Sequence, residues 1–300
     1  MMAPPTVEML QRLETYTDPS AAREGLGADG LKGAGHILSV RLSPLVHVVL
    51  APNPGLMTGP GTNTYVVGAG PATVVDPAIA DEAYLETVLE AAGEVAQILV
   101  THRHPDHVGG VERLVGLTGA PVRAWGRAAA GGVAVEPLDD GATIDAGGVT
   151  LTALHTPGHA SDHLCFYLEG AASLLAGDNI LGEGTAVIAP PDGDMRAFLS
   201  SLERLGRLRI DRIYPGHFRP LDGGNEVIRE LMEHRRRRES MIVASLADGP
   251  LTIEEIVSRV YIDTPEQLHP IAFYSVQAHL EMLQADERVL SIDDRWSTVP

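Results

Sequence analysis

The sequence predicts an α/β layered domain followed by a small winged-helix-like unit, and three observations carry the prediction. Short apolar runs bounded by Gly, Pro and Asp alternate with helical patterns through the middle of the chain. Between about residues 143 and 178 the helices thin out and hairpin-like strands follow one another. From about Gly249 the chain reads as two helices and then two short strands.

Residues 1–35 mix a short helical pattern with the Gly-rich stretch GLGADGLKGAG and are set apart as an N-terminal extension. The runs ILSVRLSPLVHVVL and NTYVVG read as strands joined by the long Pro/Gly loop APNPGLMTGPGT. ATVVDP is a buried strand, and DEAYLETVLEAA carries apolar residues at helical spacing and stops before Gly93. VAQILVTH is the next buried strand, and VERLVGLTGAPVRAWG repeats the helix-to-strand step. After the hairpin region come a helix at MRAFLSSLERL, a strand at RIDRIYPGH and the long polar helix NEVIRELMEHRRRRESMIVASL. The catalytic domain is placed at residues 36–232 and the C-terminal unit at 233–300.

The 300 residues suffice for one large α/β core with an appendage. No apolar run approaches the roughly 20 residues that span a bilayer, and the N-terminus lacks a basic start followed by an apolar stretch. A soluble, cytoplasmic protein with no membrane partner is expected. The single cysteine, Cys165, excludes a disulfide framework and a multi-cysteine zinc site, and its place in LCFYL predicts a buried small side chain. A net charge of −18 gives no long-range attraction for polyanions.

The chemistry is concentrated in THRHPDHVGG, residues 101–110, which sets His102, His104, Asp106 and His107 directly after a strand. At a strand end, His102 and His104 can point one way while Asp106 and His107 reach a second point nearby, which suits two metals. Imidazole and carboxylate without thiolate are compatible with zinc, iron or manganese. His159 in HTPGH, Asp178 in AGD and His217 in YPGH each follow an apolar run beside a Gly or Pro turn. Ligands at separate strand ends converge on one edge of a sheet.

HRHPDH, HTPGH, AGD and YPGH, in this order and at these separations, resemble the motifs of the metallo-β-lactamase superfamily. The resemblance implies an αββα sandwich and a binuclear hydrolase with two divalent cations, zinc being expected. It implies that His102, His104 and His159 hold one metal and Asp106, His107 and His217 the other, with Asp178 bridging and Asp106 and Asp178 as catalytic carboxylates. Asp76 in VVDP matches an acidic residue that orients a ligand loop. GTNTYVVG, GDNILGEGT, the HRRRRE helix and DTPEQLH further resemble the lactamase-beta-like protein 2 branch, which includes a single-strand-specific endoribonuclease, with acyl-carrier thioesterases among similar sequences. Two cations roughly 3.5–4 Å apart would lower the pKa of a shared water and supply a hydroxide nucleophile.

Around this set, Asn63 and His163 are candidates for supporting a ligand or touching substrate, Thr64 fits simple turn chemistry, and His155 fits a strand surface. Arg235 to Arg238 lie on a helix that turns about 100° per residue, so they are expected to form a solvated face pairing with Glu233 and Glu239. The C-terminal unit offers no basic recognition helix and is expected to be a cleft wall or partner surface, a homodimer included. Single-stranded RNA stands first as substrate, carried by the branch resemblance and the arginines. The alternatives are a small-molecule thioester or other acyl bond, and a binding module without turnover, against which the complete ligand set speaks.

Overall fold

A computed structural model describes residues 37–126 and 132–299; the expected extension at residues 1–35 lies outside the described residues. With strands numbered in chain order, β1 (Ser39–Arg41), β2 (Val46–Leu50), β3 (Asn63–Val67), β4 (Ala72–Val75), β5 (Val95–Leu99), β6 (Val122–Trp125) and β7 (Val135–Leu138) lie side by side in that order in one sheet. A second sheet takes β8 (Thr143–Asp145), β9 (Thr150–His155), β10 (Leu164–Leu168), β11 (Ser173–Gly177), β12 (Arg212–Pro215) and β13 (Leu221–Asp222), running from β13 at one edge to β8 at the other. The strands missed in the sequence are β7 and β13, whose segments VEPL and LD are too short to show a period.

Strand alternation builds three layers of core. Tyr65 and Val67 of β3 and Leu164 and Phe166 of β10 meet between the sheets. Val66 faces outward beneath α1 (Glu82–Ala92), where Tyr84, Leu85 and Val88 cover the first sheet. Cys165 and Leu174 face outward beneath α4 (Met195–Leu205), joined there by Ile228 and Leu231 of α5 (Gly224–Ser245). The result is the αββα sandwich. Short α2 (Pro105–Val108) and α3 (Val111–Thr118) complete the first helical layer, and Asp81 and Asp194 cap α1 and α4 by accepting backbone N–H bonds.

The C-terminal unit has α6 (Ile253–Val260), α7 (His269–Ala285) and the hairpin β14 (Val289–Ile292) with β15 (Arg295–Thr298). Its own core gathers Ile242, Leu246, Ile256, Val260, Val276, Leu280 and Trp296. Helix α5 supplies residues to this core and to the sandwich, so the boundary expected between residues 232 and 233 falls inside one continuous helix. Among the described residues no helix is long and apolar enough to cross a membrane.

Strand direction gathers the chemistry. Strands β9 and β11 both pair antiparallel with β10, and β12 runs parallel to β11, so the C-terminal ends of β9, β11 and β12 share an edge. In the first sheet β4 and β5 are parallel, which brings Asp76 beside Thr101 and His102.

Candidate metal centre

The HRHPDH segment acquires its shape locally. Pro105 opens α2 and holds His104 extended, at φ −61° and ψ 143°, so that His104 stays outside the helix while Asp106 and His107 sit in its first turn. The loop then passes so close to residues 77–79 that a Cβ on Gly109 would lie 2.6 Å from the Ala78 carbonyl oxygen and one on Gly110 2.5 Å from that of Ile79. The two glycines after His107 are therefore steric requirements of the site.

All seven expected ligands converge. His104 Nδ1 lies 2.9 Å from His102 Nε2 and 3.0 Å from His159 Nε2. A second group has His107 Nε2 3.3 Å from His217 Nε2 and 3.6 Å from Asp106 Oδ2, with His217 Nε2 3.3 Å from that same oxygen. Asp178 stands between them, with Oδ1 3.4 Å from His107 Nε2 and Oδ2 3.3 Å from His217 Nε2 and 3.7 Å from His159 Nε2. Tetrahedral bonds of about 2.0–2.1 Å place donor atoms roughly 3.3–3.4 Å apart, and the donor separations scatter around that edge length.

Four of the five rings are turned by a bond on Nδ1 so that Nε2 faces inward. His107 Nδ1 donates to Asp76 Oδ2 at 2.9 Å, His159 Nδ1 to the Val187 carbonyl at 2.7 Å, and His217 Nδ1 to the Gly61 carbonyl at 3.3 Å. Thr101 gives its hydroxyl proton to Asp76 Oδ2, so at 3.0 Å it accepts from His102 Nδ1. The Nε2 atoms of these four rings are thereby left unprotonated in the neutral tautomer.

Asp178 Oδ1 is buried and has no hydrogen-bond partner among the described residues, an expensive state for a carboxylate unless a cation meets it. Burial opposes charge throughout, yet Asp178 and Asp76 raise His107 well above the ordinary imidazole value, and Asp178 and Asp106 raise His217 to about 9. Asp178 is itself held well below the usual carboxylate range by His217 and His107 against the opposing effect of burial. His102 is pushed well below its usual value by burial and then by His107 and His159. The centre is thus divided between His107 and His217, which the carboxylates favour as cations, and His102 and His159, which burial favours as neutral rings. Donor types, orientation and the orphaned oxygen all fit divalent cations.

Asp76, expected to orient a ligand, sits at φ 54° and accepts at Oδ1 from the Thr101 backbone N–H, besides its bonds to Thr101 Oγ1 and His107. His163 is fully buried and touches no open space: its Nε2 accepts the Asp178 N–H at 3.1 Å and its Nδ1 donates to Thr156 Oγ1 at 3.1 Å. Asn63 sits behind the His217 turn, its amide donating to the carbonyls of Pro215 and Phe218. Thr64 donates to the Asp76 carbonyl, a support that turn chemistry does not anticipate. His155 stacks on Trp125 with centroids 3.6 Å apart. Cys165 is buried, its thiol pushed up to about 12 by burial. Thr101, Thr156 and the Val187 and Gly61 carbonyls escape the sequence reading.

The arginine run corrects an expectation. Arg236 and Arg237 are exposed and pair with Glu203 and Glu233, while Arg288 takes Glu239. Arg235 is 2 % exposed, stacks over Phe198 and donates to the Ala186 carbonyl. Arg238 lies over the Tyr261 ring and donates to the Val260 carbonyl. Helix α7 and the 184–187 stretch cover this face of α5, which a reading of the helix alone cannot see. Between them runs a cleft that reaches His159 and Asp178 and is walled by residues from Tyr261 to Ser275 of the C-terminal unit.

Residues 57–217 match the metallo-beta-lactamase superfamily and residues 252–296 the beta-lactamase associated winged helix domain. The chain belongs to the metallo-beta-lactamase superfamily and is a hydrolase of it. It is 34 % identical to a Beta-lactamase-like protein 2 homolog of Drosophila melanogaster, over 83 % of this chain and 91 % of that one. It is 30 % identical to an Atrochrysone carboxyl ACP thioesterase of Aspergillus chevalieri, over 86 % of this chain and 88 % of that one. A metallo-beta-lactamase family protein from Thermus thermophilus has the same fold at 26 % identity and a TM-score of 0.74, covering 86 % of this chain and all of its own.

Proposed function

We propose that this hydrolase cleaves thioesters of largely apolar acyl groups, using two divalent cations held by His102, His104 and His159 and by Asp106, His107 and His217, with Asp178 between them. The observation that carries this reading is the lining of the cleft at the centre, where Leu56, Met57, Leu181, Val187, Phe218 and Ile271 present apolar surface beside His159 and Asp178. Zinc suits the donor set best, and its chemistry when bound would be to activate water and polarise the carbonyl. The chain's own residues bind the acyl group in the cleft and keep water away from it. Asp76 and Thr101 fix the rings of His102 and His107, and His163 fixes the backbone at Asp178.

Single-stranded RNA, placed first on the sequence, loses the support of the arginines: Arg235 is buried, Arg238 packs on Tyr261, and Arg236 and Arg237 face glutamates. An RNA strand needs a basic groove with stacking faces, and this chain carries a net charge of −18. The relative named as an ACP thioesterase also favours the acyl reading. The test is a side-by-side assay of the metal-loaded protein on acyl thioesters and single-stranded RNA. Thioester hydrolysis that a chelator abolishes is expected; cleavage of RNA alone would overturn the proposal.

A further inference from the structure

Arg235 is an anomaly in the protein's electrostatics. It is 2 % exposed and belongs to a chain with 40 Asp and Glu residues, yet no carboxylate meets it among the described residues. Its guanidinium donates to the Ala186 carbonyl and stacks over Phe198, and its Nε has no partner among those residues. Buried guanidinium groups ordinarily face carboxylates, because removing the charge from water is costly and only an opposite charge recovers most of the loss.

Its surroundings add positive charge. Arg238, three residues on along the same face of α5, is satisfied by a carbonyl and a ring, and no acid among the described residues faces it. The charged groups that act on His234 and His279 are arginines and a histidine, and burial with these cations pushes His234 down to about 4 and His279 to about 3. Thr264, 5 % exposed, has a hydroxyl with no partner among the described residues. Arg235, Arg238, His234 and Thr264 all line the cleft that reaches His159 and Asp178. The stretch at Ala186 and Val187 joins the two ends of this arrangement, since the first carbonyl accepts from Arg235 and the next from His159.

We propose that the cleft contains a carboxylate subsite, in which Arg235, with Arg238 and Thr264 beside it, receives an acidic group carried on the substrate's acyl portion away from the bond that is cleaved. The unpartnered guanidinium nitrogen and hydroxyl are donors awaiting an acceptor, and the apolar walls between them and the metal centre fit the intervening chain. A nucleic acid would present a series of phosphates to an exposed groove, whereas this is one enclosed cationic position at the side of an apolar cleft. The subsite rests on the acyl-hydrolase reading for its substrate, though not for its ability to bind a carboxylate.

Two measurements test it. Thioesters of a dicarboxylic acid and of the monocarboxylic acid of equal chain length are compared, over a series of lengths, in wild type, Arg235→Met and Thr264→Val. At the best length the acid-terminated substrate is expected to have a kcat/KM about 10- to 100-fold higher, the worth of one charge-assisted hydrogen bond. Both substitutions are expected to bring this ratio toward one. Thr264→Val removes only an unbonded hydroxyl and tests the site if Arg235→Met does not fold. A wild-type ratio near one, or a ratio untouched by either substitution, would sink the subsite.

Separately, calorimetry on the metal-loaded protein compares a linear dicarboxylate with its monomethyl ester, so that each probe keeps one carboxylate for the metals. Tighter binding of the dicarboxylate, lost in the variants, is expected. If no thioester is turned over but this preference persists, the proposed reaction fails and the carboxylate subsite stands. Equal binding of both probes overturns the subsite.

Discussion

Asp76 Oδ2 accepts from His107 Nδ1 at 2.9 Å, and the same oxygen accepts from the Thr101 hydroxyl, whose oxygen in turn accepts from His102 Nδ1. One buried carboxylate therefore sets the rings of ligands belonging to both halves of the centre.

Asp76→Asn should weaken cation binding about 10- to 100-fold in both halves, the usual consequence of losing an orienting partner. An amide meets N–H donors on both sides and can accept with only one of its two atoms, while Asn still tolerates the φ of 54°. Competition titration against a chelator measures the loss. Unchanged affinity at both sites would remove Asp76 from its orienting role.

Elemental analysis of protein purified without chelator or metal-affinity tag should find close to two metal ions per chain, falling toward one in His217→Ala. Asp178→Ala should reduce turnover to background while the far-ultraviolet spectrum is kept, because Asp178 packs against ligands and contributes nothing to the sheet cores. A well-folded parent that holds no metal and takes up neither zinc nor manganese would contradict the assignment.

Gly216→Ala should empty the centre without unfolding the sandwich. A Cβ there would lie 2.5 Å from Asp178 Oδ1 and 2.9 Å from His107 Cε1, and side-chain displacement is the cheaper response. Gly116→Ala, at an exposed position of α3 with nothing within 4 Å of its Cβ, is the control and should stabilise by roughly 0.5–1 kcal/mol. Equal metal content in the two variants would refute the steric argument.

Acid should destabilise the protein through His279, which lies in α7, is fully buried and has neither ring nitrogen bonded among the described residues. Its folded value of about 3 lies below the unfolded value, so the unfolded chain binds the extra proton between roughly pH 6.5 and 3. The contribution is full above that window and is lost as pH falls through it, amounting to a few kcal/mol, on the order of 1.4 for each unit. Burial keeps His279 neutral, reinforced by the charges of Arg235, His234 and Arg238. Urea midpoints at pH 7 and pH 5 should differ less in His279→Leu than in wild type; an identical acid limb would exclude His279 as its source.

The convergence of the seven side chains at the centre was legible in the sequence because its densest part is local, with His102, His104, Asp106 and His107 within six residues between β5 and α3. The sandwich was legible by resemblance, and its strands by composition, as in β3 and β11, which are buried along their whole length. The partners that orient the ligands were not legible. The Val187 and Gly61 carbonyls are backbone groups available at every position, and Thr101 is one threonine among many until β4 is laid beside β5. The burial of Arg235 was hidden for a related reason: charge patterning along α5 reports neighbours on that helix, and the groups enclosing Arg235 come from Phe198 and Ala186.

The centre draws His102, His104, Asp106 and His107 from the first sheet and His159, Asp178 and His217 from the second. A cation held there closes a long loop of chain, like a clasp, and opposes the separation of the two halves of the sandwich. The ligands of the first sheet must wait, during synthesis, until the segment ending at His217 has emerged and folded against them. With a cation bound, mass action would raise the thermal midpoint as the free metal concentration rises.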